Sequence, residues 1–416
     1  MELKNALEIL PDRLYYVALR STPKDTPSAH FFNIDNELVY WNFFLDFGPL
    51  NLGQMYRFCS MLNQKLQSER LKRKVIYYYS ATHSHRRANA AFLISAWSMI
   101  YLNKSADEAY RPFSNVYPPF PPFHDASPCV CTYNLTVLDC LRGVEKARAH
   151  NFFDFSKFDC DEYEYFEQVE NGDLNWHIQD KILCFAGPHN SREVSREGYR
   201  TLTPEDYIPY FKKKNVRLVV RLNKKYYDER KFINAGINHV EHYYLDGSVP
   251  PMRILKKVVA AIESAGDAAI AVHCKAGLGR AGTCTASWIM KHYRMTAAET
   301  IGWMRICRPG TVIGPQQHFL EDIQDQMWHE GDVMRSSPQR SLTEKGEVRR
   351  KLSQNGGSSK GREGGILGGI NSMSIKPGRG RHEDLEDSVV GRPGQSEELR
   401  GRRAQAAAGY SSKSRK

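Results

Sequence analysis

Eight consecutive residues, His273-Cys274-Lys275-Ala276-Gly277-Leu278-Gly279-Arg280, bring together a thiol, a guanidinium and two glycines. Five residues separate Cys274 from Arg280, and the glycines let that backbone curl until its N–H groups and the guanidinium converge on one point. Such a cradle suits a tetrahedral dianion. Its expected donors are the backbone of Lys275, Ala276, Gly277, Leu278, Gly279 and Arg280, together with the Arg280 side chain. An apolar strand, Ala268 to Val272, is expected before the loop and a helix after it. The positive end of the helix dipole then faces Cys274 and favours thiolate over thiol. Cys274 is the candidate nucleophile, with His273 as its expected support.

Phosphomonoester cleavage also needs a proton donor for the departing oxygen. The stretch Tyr243-Tyr244-Leu245-Asp246-Gly247-Ser248-Val249-Pro250 offers one carboxylate flanked by Gly and Pro. Asp246 is the candidate general acid, protonating the leaving oxygen and then activating the water that hydrolyses phosphocysteine. On its own the segment reads as a plain Asp-Gly turn. The Cys-x5-Arg spacing alone also occurs in rhodanese-like sulfurtransferases. Strand before, His at the preceding position, two glycines, helix after and an Asp-Gly loop upstream together favour phosphatase chemistry. Thiolate, guanidinium and carboxylate cover that chemistry, so neither metal nor organic cofactor is expected.

These groups are positioned by a chain of alternating strands and helices, an α/β pattern. Strands are expected at Leu14-Tyr-Tyr-Val, Leu38-Val-Tyr-Trp and Lys74-Val-Ile-Tyr-Tyr-Tyr, with a helix from about Gln54. A polar loop, Ser80 to Asn89, then leads into an apolar helix. Residues 112–123 hold five prolines and are expected to be extended or looped, their aromatics either lining a recognition surface or packing across the first domain. A helix from Thr136 to Ala149 closes the first half. Further strands are expected from Lys181, from Val216 and at His242-Tyr-Tyr-Leu.

The strand–loop–helix order around Cys274 repeats one found 191 residues earlier. At that shift Ala90 matches Ala281, Trp97 Trp288, Met99 Met290, Ala106 Ala297 and Glu108 Glu299. His83 then stands in the place of Cys274 and Asn89 in that of Arg280, so the first copy is expected to be catalytically dead. Between the halves lies an acid-rich helical stretch from Asp159 to Glu170, expected to stop at Asn171-Gly172. Its blander reading is a solvated face. The predicted organisation is a non-catalytic domain over 1–155, a linker helix over 156–178, a catalytic domain over 179–330 and a disordered basic tail over 331–416.

Composition bounds the remaining function classes. The net charge of +11 resides mainly in residues 331–416, with 18 Lys+Arg against 10 Asp+Glu, leaving about +3 elsewhere. No specific nucleic-acid partner is therefore expected, although the tail could bind polyanions weakly. No apolar run approaches the roughly 18 residues of a membrane helix, and the first residues are acidic rather than apolar. No membrane partner and a cytosolic synthesis are the expectations. Nine cysteines without paired spacing point to reduced thiols; Cys129-Val-Cys131 reads as structural, and His83-Ser-His85 lacks a third metal ligand.

With these residues in view, the chain resembles the cysteine-dependent tyrosine/dual-specificity phosphatase superfamily, and within it the cell division cycle 14 phosphatases of mitotic exit. The resemblance rests on His273 to Arg280, Tyr293-Arg-Met-Thr-Ala-Ala-Glu-Thr, Arg305-Ile-Cys-Arg-Pro-Gly-Thr-Val-Ile-Gly-Pro-Gln-Gln and Glu170-Asn-Gly-Asp-Leu-Asn-Trp, and covers about residues 8–330. It implies two tandem dual-specificity-phosphatase-like domains joined by a linker helix. It further implies substrates phosphorylated at Ser/Thr-Pro by cyclin-dependent kinases, with a basic residue downstream, acting in late mitosis and cell division. By that analogy Glu164, Glu167 and Glu170 could attract the basic residue, and Gln316 or Gln317 could position water. The implied location is nucleus and cytoplasm, with nucleolus, centrosome or spindle as further family sites.

One position departs from the family pattern: a hydroxyl residue usually follows the loop arginine, and here it is Ala281. Losing one donor at a developing anion costs about 2–4 kcal/mol, on the order of a hundredfold in rate. Slow breakdown of phosphocysteine is the expectation, unless Thr283 or a water compensates. The alternative function is a slow or inactive pseudophosphatase that binds phosphopeptides as a scaffold. Ser337-Pro338-Gln339-Arg340 itself has the implied substrate form, so a self-interaction of the tail at Ser337 is the reading set against chance occurrence in a Ser-rich tail.

Overall fold

The computed structural model describes residues 3–194, 198–336 and 399–404. The first domain is a four-stranded sheet built from β1 (Leu7–Leu10), β2 (Leu14–Leu19), β3 (Ala29–Phe32) and β4 (Val75–Ala81) in the order β1-β2-β4-β3. The second is a five-stranded sheet of β5 (Leu174–Ile178), β6 (Ile182–Ala186), β7 (Val216–Arg221), β8 (Asn238–Glu241) and β9 (Ala269–Cys274) in the order β5-β6-β9-β7-β8. Each sheet begins with an antiparallel hairpin whose second strand pairs in parallel with the strand that precedes the key loop, β4 or β9. The repeat seen as a 191-residue shift is thus a repeat of topology.

Helices cover these sheets: α1 (Leu52–Gln67), α2 (Ser84–Tyr101), α3 (Ala106–Tyr110) and α4 (Val137–Ala149) in the first half, α5 (Cys160–Glu167) between, and α6 (Pro204–Lys213), α7 (Arg230–Asn234), α8 (Met252–Ser264), α9 (Gly279–Tyr293), α10 (Ala297–Cys307) and α11 (Pro315–Ser336) in the second. Asn51 and Thr136 start α1 and α4 with capping boxes, the cap side chain accepting from the third backbone N–H while that residue's side chain returns to the cap N–H. One hydrophobic cluster, from Leu14 and Phe58 to Trp303 and Met327, runs through both domains. α4 lies directly on α10, and a Cβ at Gly143 would stand 2.4 Å from the Glu299 carbonyl oxygen. That approach welds the two domains into one body.

The acidic helix is a wedge rather than a solvated face. Glu164 bonds Arg57 of α1, Tyr163 donates to the Cys307 carbonyl at 2.9 Å, and Glu162 accepts from Tyr210 at 2.8 Å. It is shorter than expected: regular helix ends at Glu167, before Asn171-Gly172, and residues 174–178 belong to the second sheet as β5. The Trp176 and Asn175 backbone is needed there to pair with β6.

Other expectations shift locally. Leu38 to Trp41 is irregular, while Gln54 of α1 donates to the Val39 carbonyl. His242 to Leu245 is not a strand, because β8 stops pairing with β7 at Glu241 and the chain leaves the sheet to form the acid loop. The proline-rich stretch packs inward: the Phe113 ring packs tilted against Tyr16, Arg87 lies over Phe120 and Phe123 is buried. The tail is not uniformly irregular, since residues 399–404 are helical and largely buried. Ser337 lies outside the described residues.

Candidate active site

β9 carries apolar residues on both faces and ends at Cys274, which is buried opposite Ala186 of β6. The loop that follows spends its carbonyls outward. The Cys274 carbonyl faces His273 Nδ1 at 3.0 Å, that of Lys275 accepts from Gly187 N–H, and those of Ala276 and Gly277 accept from Arg308 at 2.9 and 3.0 Å. The Leu278 carbonyl accepts from the N–H groups of Gly282 and Val312. Five successive carbonyls held from outside turn the N–H groups of the loop toward its concave side, the arrangement an anion requires. Gly277 makes the curl possible: its φ is +68°, and a Cβ there would lie 2.1 Å from the Phe185 carbonyl oxygen.

Arg280 opens α9, fully buried, and donates to the Tyr244 carbonyl at 3.1 Å while Tyr244 Oη donates to the Arg280 carbonyl at 2.9 Å. This reciprocal clamp ties the acid loop to the cradle. Asp246 Oδ1 lies 3.2 Å from Arg280 Nη2, and Asp246 Oδ2 is buried with no hydrogen-bond partner among the described residues. Cys274, Arg280 and Asp246 are therefore brought to one place, from the ends of β9, α9 and the loop after β8. The guanidinium at the end of the loop thus stands beside a carboxyl group.

His273 holds the backbone carbonyl of Cys274. Burial holds its imidazole neutral, well below the ordinary histidine range. Nδ1–H then donates to the Cys274 carbonyl, leaving Nε2 to accept from Tyr227 Oη at 2.7 Å, whose oxygen faces His239 Nε2 at 2.7 Å. Of the two glutamines, Gln316 belongs to the site: its Nε2 donates to the Ser248 carbonyl of the acid loop at 3.0 Å, and it lies against Gly279. Gln317 is turned away, accepting from Arg305 at 2.7 Å.

The acidic candidates divide. Glu167 is tied to the first domain, accepting from Asn51 Nδ2 at 3.1 Å, and is buried enough that its carboxyl is raised. Glu164 is committed to Arg57, and Glu170 is exposed beyond the helix end. Sequence reasoning missed Asp173, which lies 2.8 Å from Arg308 Nη2, and missed Arg308 itself, whose fork also reaches Asn175 Oδ1 at 2.7 Å. Burial would raise the Asp173 carboxyl, but Arg403, Arg308 and Arg400 together hold it below the usual carboxylate range. Arg308 lay within the Arg305–Gln317 segment singled out above; nothing in its spacing indicated that it braces a loop thirty residues away.

The first copy has no cradle. α2 begins at Ser84, a position equivalent to 275 at the 191-residue shift, so the residues that would curl are wound into helix. Asp35 accepts from the Ala81 N–H at 2.8 Å and pairs with Arg86, placing a carboxylate at that helix start. Asn89 donates to the Phe47 carbonyl instead of facing a ligand. Among the described residues, His124, Asp125 and Cys131 bring potential metal-ligand atoms together. Both His124 nitrogens are already used, Nδ1 toward the Asp125 carbonyl and Nε2 accepting from Cys131 N–H.

Comparison with known proteins agrees with this architecture. The family model for the N-terminal half of dual specificity protein phosphatases matches residues 8–147, and one for the DSP-PTPase phosphatase of polymorphic toxin systems matches 195–294. Human dual specificity protein phosphatase CDC14A is 50% identical over 386 residues, covering 92% of this chain and 62% of that protein. Human CDC14C is 46% identical over 366 residues, covering 88% and 78%. The tyrosine-protein phosphatase CDC14 homolog of Schizosaccharomyces pombe is 39% identical over 326 residues, covering 76% and 60%. The chain spans 62% and 58% of the length of the human and mouse CDC14A proteins. On the extent of this similarity across both domains, the chain belongs to the CDC14 family of dual specificity protein phosphatases.

Proposed function

We propose that the chain is a cysteine-dependent protein phosphatase that hydrolyses phosphoserine-proline, phosphothreonine-proline and phosphotyrosine sites. The observation that carries this reading is the meeting of Cys274, the outward-bonded loop, Arg280 and Asp246 at one point. Cys274 Sγ attacks phosphorus as thiolate; the phosphorus–oxygen bond breaks, and Asp246 gives its proton to the departing oxygen. Arg280 and the loop N–H groups hold the equatorial oxygens as charge redistributes. Water then attacks phosphocysteine, Asp246 accepts its proton, and the thiolate leaves with inorganic phosphate released. Gln316, bonded to the acid loop and against the cradle, is the group of the two glutamines placed to orient that water.

For substrate choice, Glu167 and Asp173 form the acidic seat for a basic residue downstream of the phosphate, with Phe43, Ala126 and Ile313 as an apolar wall for proline. Family membership supports phosphoproteins of late mitosis and cell division as the substrates, in nucleus and cytoplasm. Phosphate release from a phosphoserine-proline peptide with a downstream arginine, measured beside Cys274→Ser, tests the reading; release no greater than from that variant would overturn it. The second reading is a slow phosphopeptide-binding scaffold. It is favoured by Thr283, whose hydroxyl donates to the Gly279 carbonyl at 2.8 Å and so does not stand in for the hydroxyl absent at Ala281.

A further inference from the structure

A cavity of about 480 Å³ lies where the chain crosses between the domains, bounded by residues 151–159, α5, β5 and α10. Neither Cys274, Arg280 nor Asp246 lines it. Its size is that of a small-molecule site, and domain junctions are where such sites concentrate. One wall is aromatic and fixed. Phe153 stacks on Trp303 with ring centroids 5.0 Å apart, and Trp303 Nε1 donates to the His177 carbonyl at 2.8 Å. Trp176 Nε1 donates to Tyr210 Oη at 3.0 Å, which donates to Glu162 at 2.8 Å, so the polar ends of these rings are used.

Two polar side chains that line the same cavity are not satisfied. His177 is 0% exposed, and neither ring nitrogen has a hydrogen-bond partner among the described residues; Asn175 is 2% exposed, and its Nδ2 has none. The Asn175 amide cannot be turned round, because a guanidinium only donates: Oδ1 accepts from Arg308 Nη1 at 2.7 Å, which leaves the N–H groups of Nδ2 over. His177 is neutral, burial and then the Arg308 charge lowering its pKa to about 3, and so offers one donor and one acceptor. Buried polar groups are almost always paired, and an occupant that pairs these two supplies an acceptor to Asn175 and a donor to His177. At the rim Lys157 pairs with Asp154 at 3.0 Å and Lys214 with Glu162 at 2.8 Å, while Asp159 and Asp180 leave it net negative.

We propose that this cavity binds a small planar heteroaromatic amine, and that its occupancy strengthens the phosphate cradle. The ring lies along the Phe153–Trp303 wall, a ring nitrogen accepts from Asn175 Nδ2, an adjacent amino group donates to the lone pair of His177, and a cationic substituent faces Asp159 and Asp180. Coupling runs through Asn175. Its Oδ1 holds Arg308, and Arg308 donates to the Ala276 and Gly277 carbonyls at 2.9 and 3.0 Å. A hydrogen bond donated by Nδ2 polarises the amide and makes Oδ1 the stronger acceptor, which steadies the guanidinium that turns the loop N–H groups inward. This second half rests on the reading of the Cys274 loop as a phosphate site.

The test titrates the full chain with three probes of one size: an aminoquinazoline bearing an aminomethyl group, naphthylmethylamine, which lacks the ring nitrogens and the amino group, and the aminoquinazoline with a carboxylate in place of the aminomethyl group. NMR of the indole N–H groups of Trp176 and Trp303 reports the site. The first probe is expected to bind with a dissociation constant on the order of 0.1–1 mM, the range open to a ligand of that size, and the other two at least tenfold more weakly. His177→Phe should weaken the aminoquinazoline at least tenfold and leave naphthylmethylamine within threefold; the probe series itself needs no variant. Equal binding of the three probes, or no shift of either indole, would overturn the site and leave ordered water as the partner of Asn175 and His177.

Inorganic phosphate, followed by phosphorus NMR, should bind two- to threefold more tightly in saturating probe, and the probe more tightly by the same factor in saturating phosphate, as linkage requires. A seated probe with no reciprocal change would overturn the coupling. Phosphate that fails to bind while the probe is seated would overturn the cradle reading, and the coupling with it, and leave the cavity assignment standing.

Discussion

Replacing Ala281 with serine should accelerate the second chemical step. Ala281 is fully buried in the first turn of α9, directly after Arg280, the arginine proposed to hold the phosphoryl group. Nearby hydroxyls are already spent: Thr283 donates to the Gly279 carbonyl at 2.8 Å, Tyr244 to the Arg280 carbonyl at 2.9 Å and Ser248 to the Leu245 carbonyl at 2.8 Å. When phosphocysteine breaks, the departing thiolate then relies on loop N–H groups and the helix dipole. One preorganised donor at a developing anion contributes about 3–4 kcal/mol, on the order of 10²–10³ in rate. Attack by Cys274 gains much less, since the thiolate charge disperses in that step. The expected wild-type behaviour in a rapid-quench assay with an aryl phosphate is a stoichiometric burst of phenol, slow steady turnover and accumulating phosphocysteine. In Ala281→Ser the burst should vanish and kcat rise, with Ala281→Thr following it; Thr283→Val should leave the wild-type pattern intact. Equal turnover in wild type and Ala281→Ser, with no phosphoenzyme in either, would refute the reasoning.

Three further outcomes follow from the cradle and its supports. Gly277→Ala should lower kcat by at least about a hundredfold, because the new Cβ would sit 2.1 Å from the Phe185 carbonyl oxygen and a displacement of about 1 Å at the reacting centre costs that much; kcat within threefold of wild type would contradict it. Arg308→Met should destabilise the chain by about 3–5 kcal/mol in urea unfolding, since it strips a buried partner from Asp173 and two loop carbonyls, and should reduce phosphate binding with it. A loss under about 1 kcal/mol would show the bracing to be dispensable. His177 is fully buried, both ring nitrogens lack partners among the described residues, and burial, then Arg308, lowers its pKa to about 3. The unfolded chain therefore binds a proton there below about pH 6.5 that the folded chain refuses, so stability is lost as pH falls from 6.5 toward 3, by about 1.4 kcal/mol per unit at most. His177→Phe should flatten that slope; unchanged slopes in urea melts at pH 7, 5 and 4 would count against it.

The chemistry was legible locally because it is local. Cys274, Gly277, Gly279 and Arg280 belong to a single loop, and the spacing of thiol, glycines and guanidinium carries its own geometric meaning. The place of Asp246 beside Arg280 was legible only with the cysteine loop downstream, since on its own its segment reads as a plain Asp-Gly turn, and the repeat was legible because both copies retain the strand–loop–helix order. Boundaries were harder. The acidic stretch reads as helix to Glu170, yet Gln168 is already extended because the chain must deliver β5 to the edge of the second sheet. His242 to Leu245 has strand composition, but its partner strand ends opposite Glu241.

From its sequence alone, the chain determined its family, the repeated strand–loop–helix order and the loop that joins Cys274 to Arg280. Tertiary structure decided what those residues lean on. Arg308 braces carbonyls some thirty positions away, Asp173 pairs with the buried guanidinium groups of Arg308 and Arg403, and Leu399–Ala404 packs against both domains from a tail whose composition predicts no packing. Periodicity and spacing report on neighbours within a turn or a strand. Pairing of a buried carboxylate with a distant guanidinium depends on which surfaces the fold removes from water, and that is set only when the two domains close on one core.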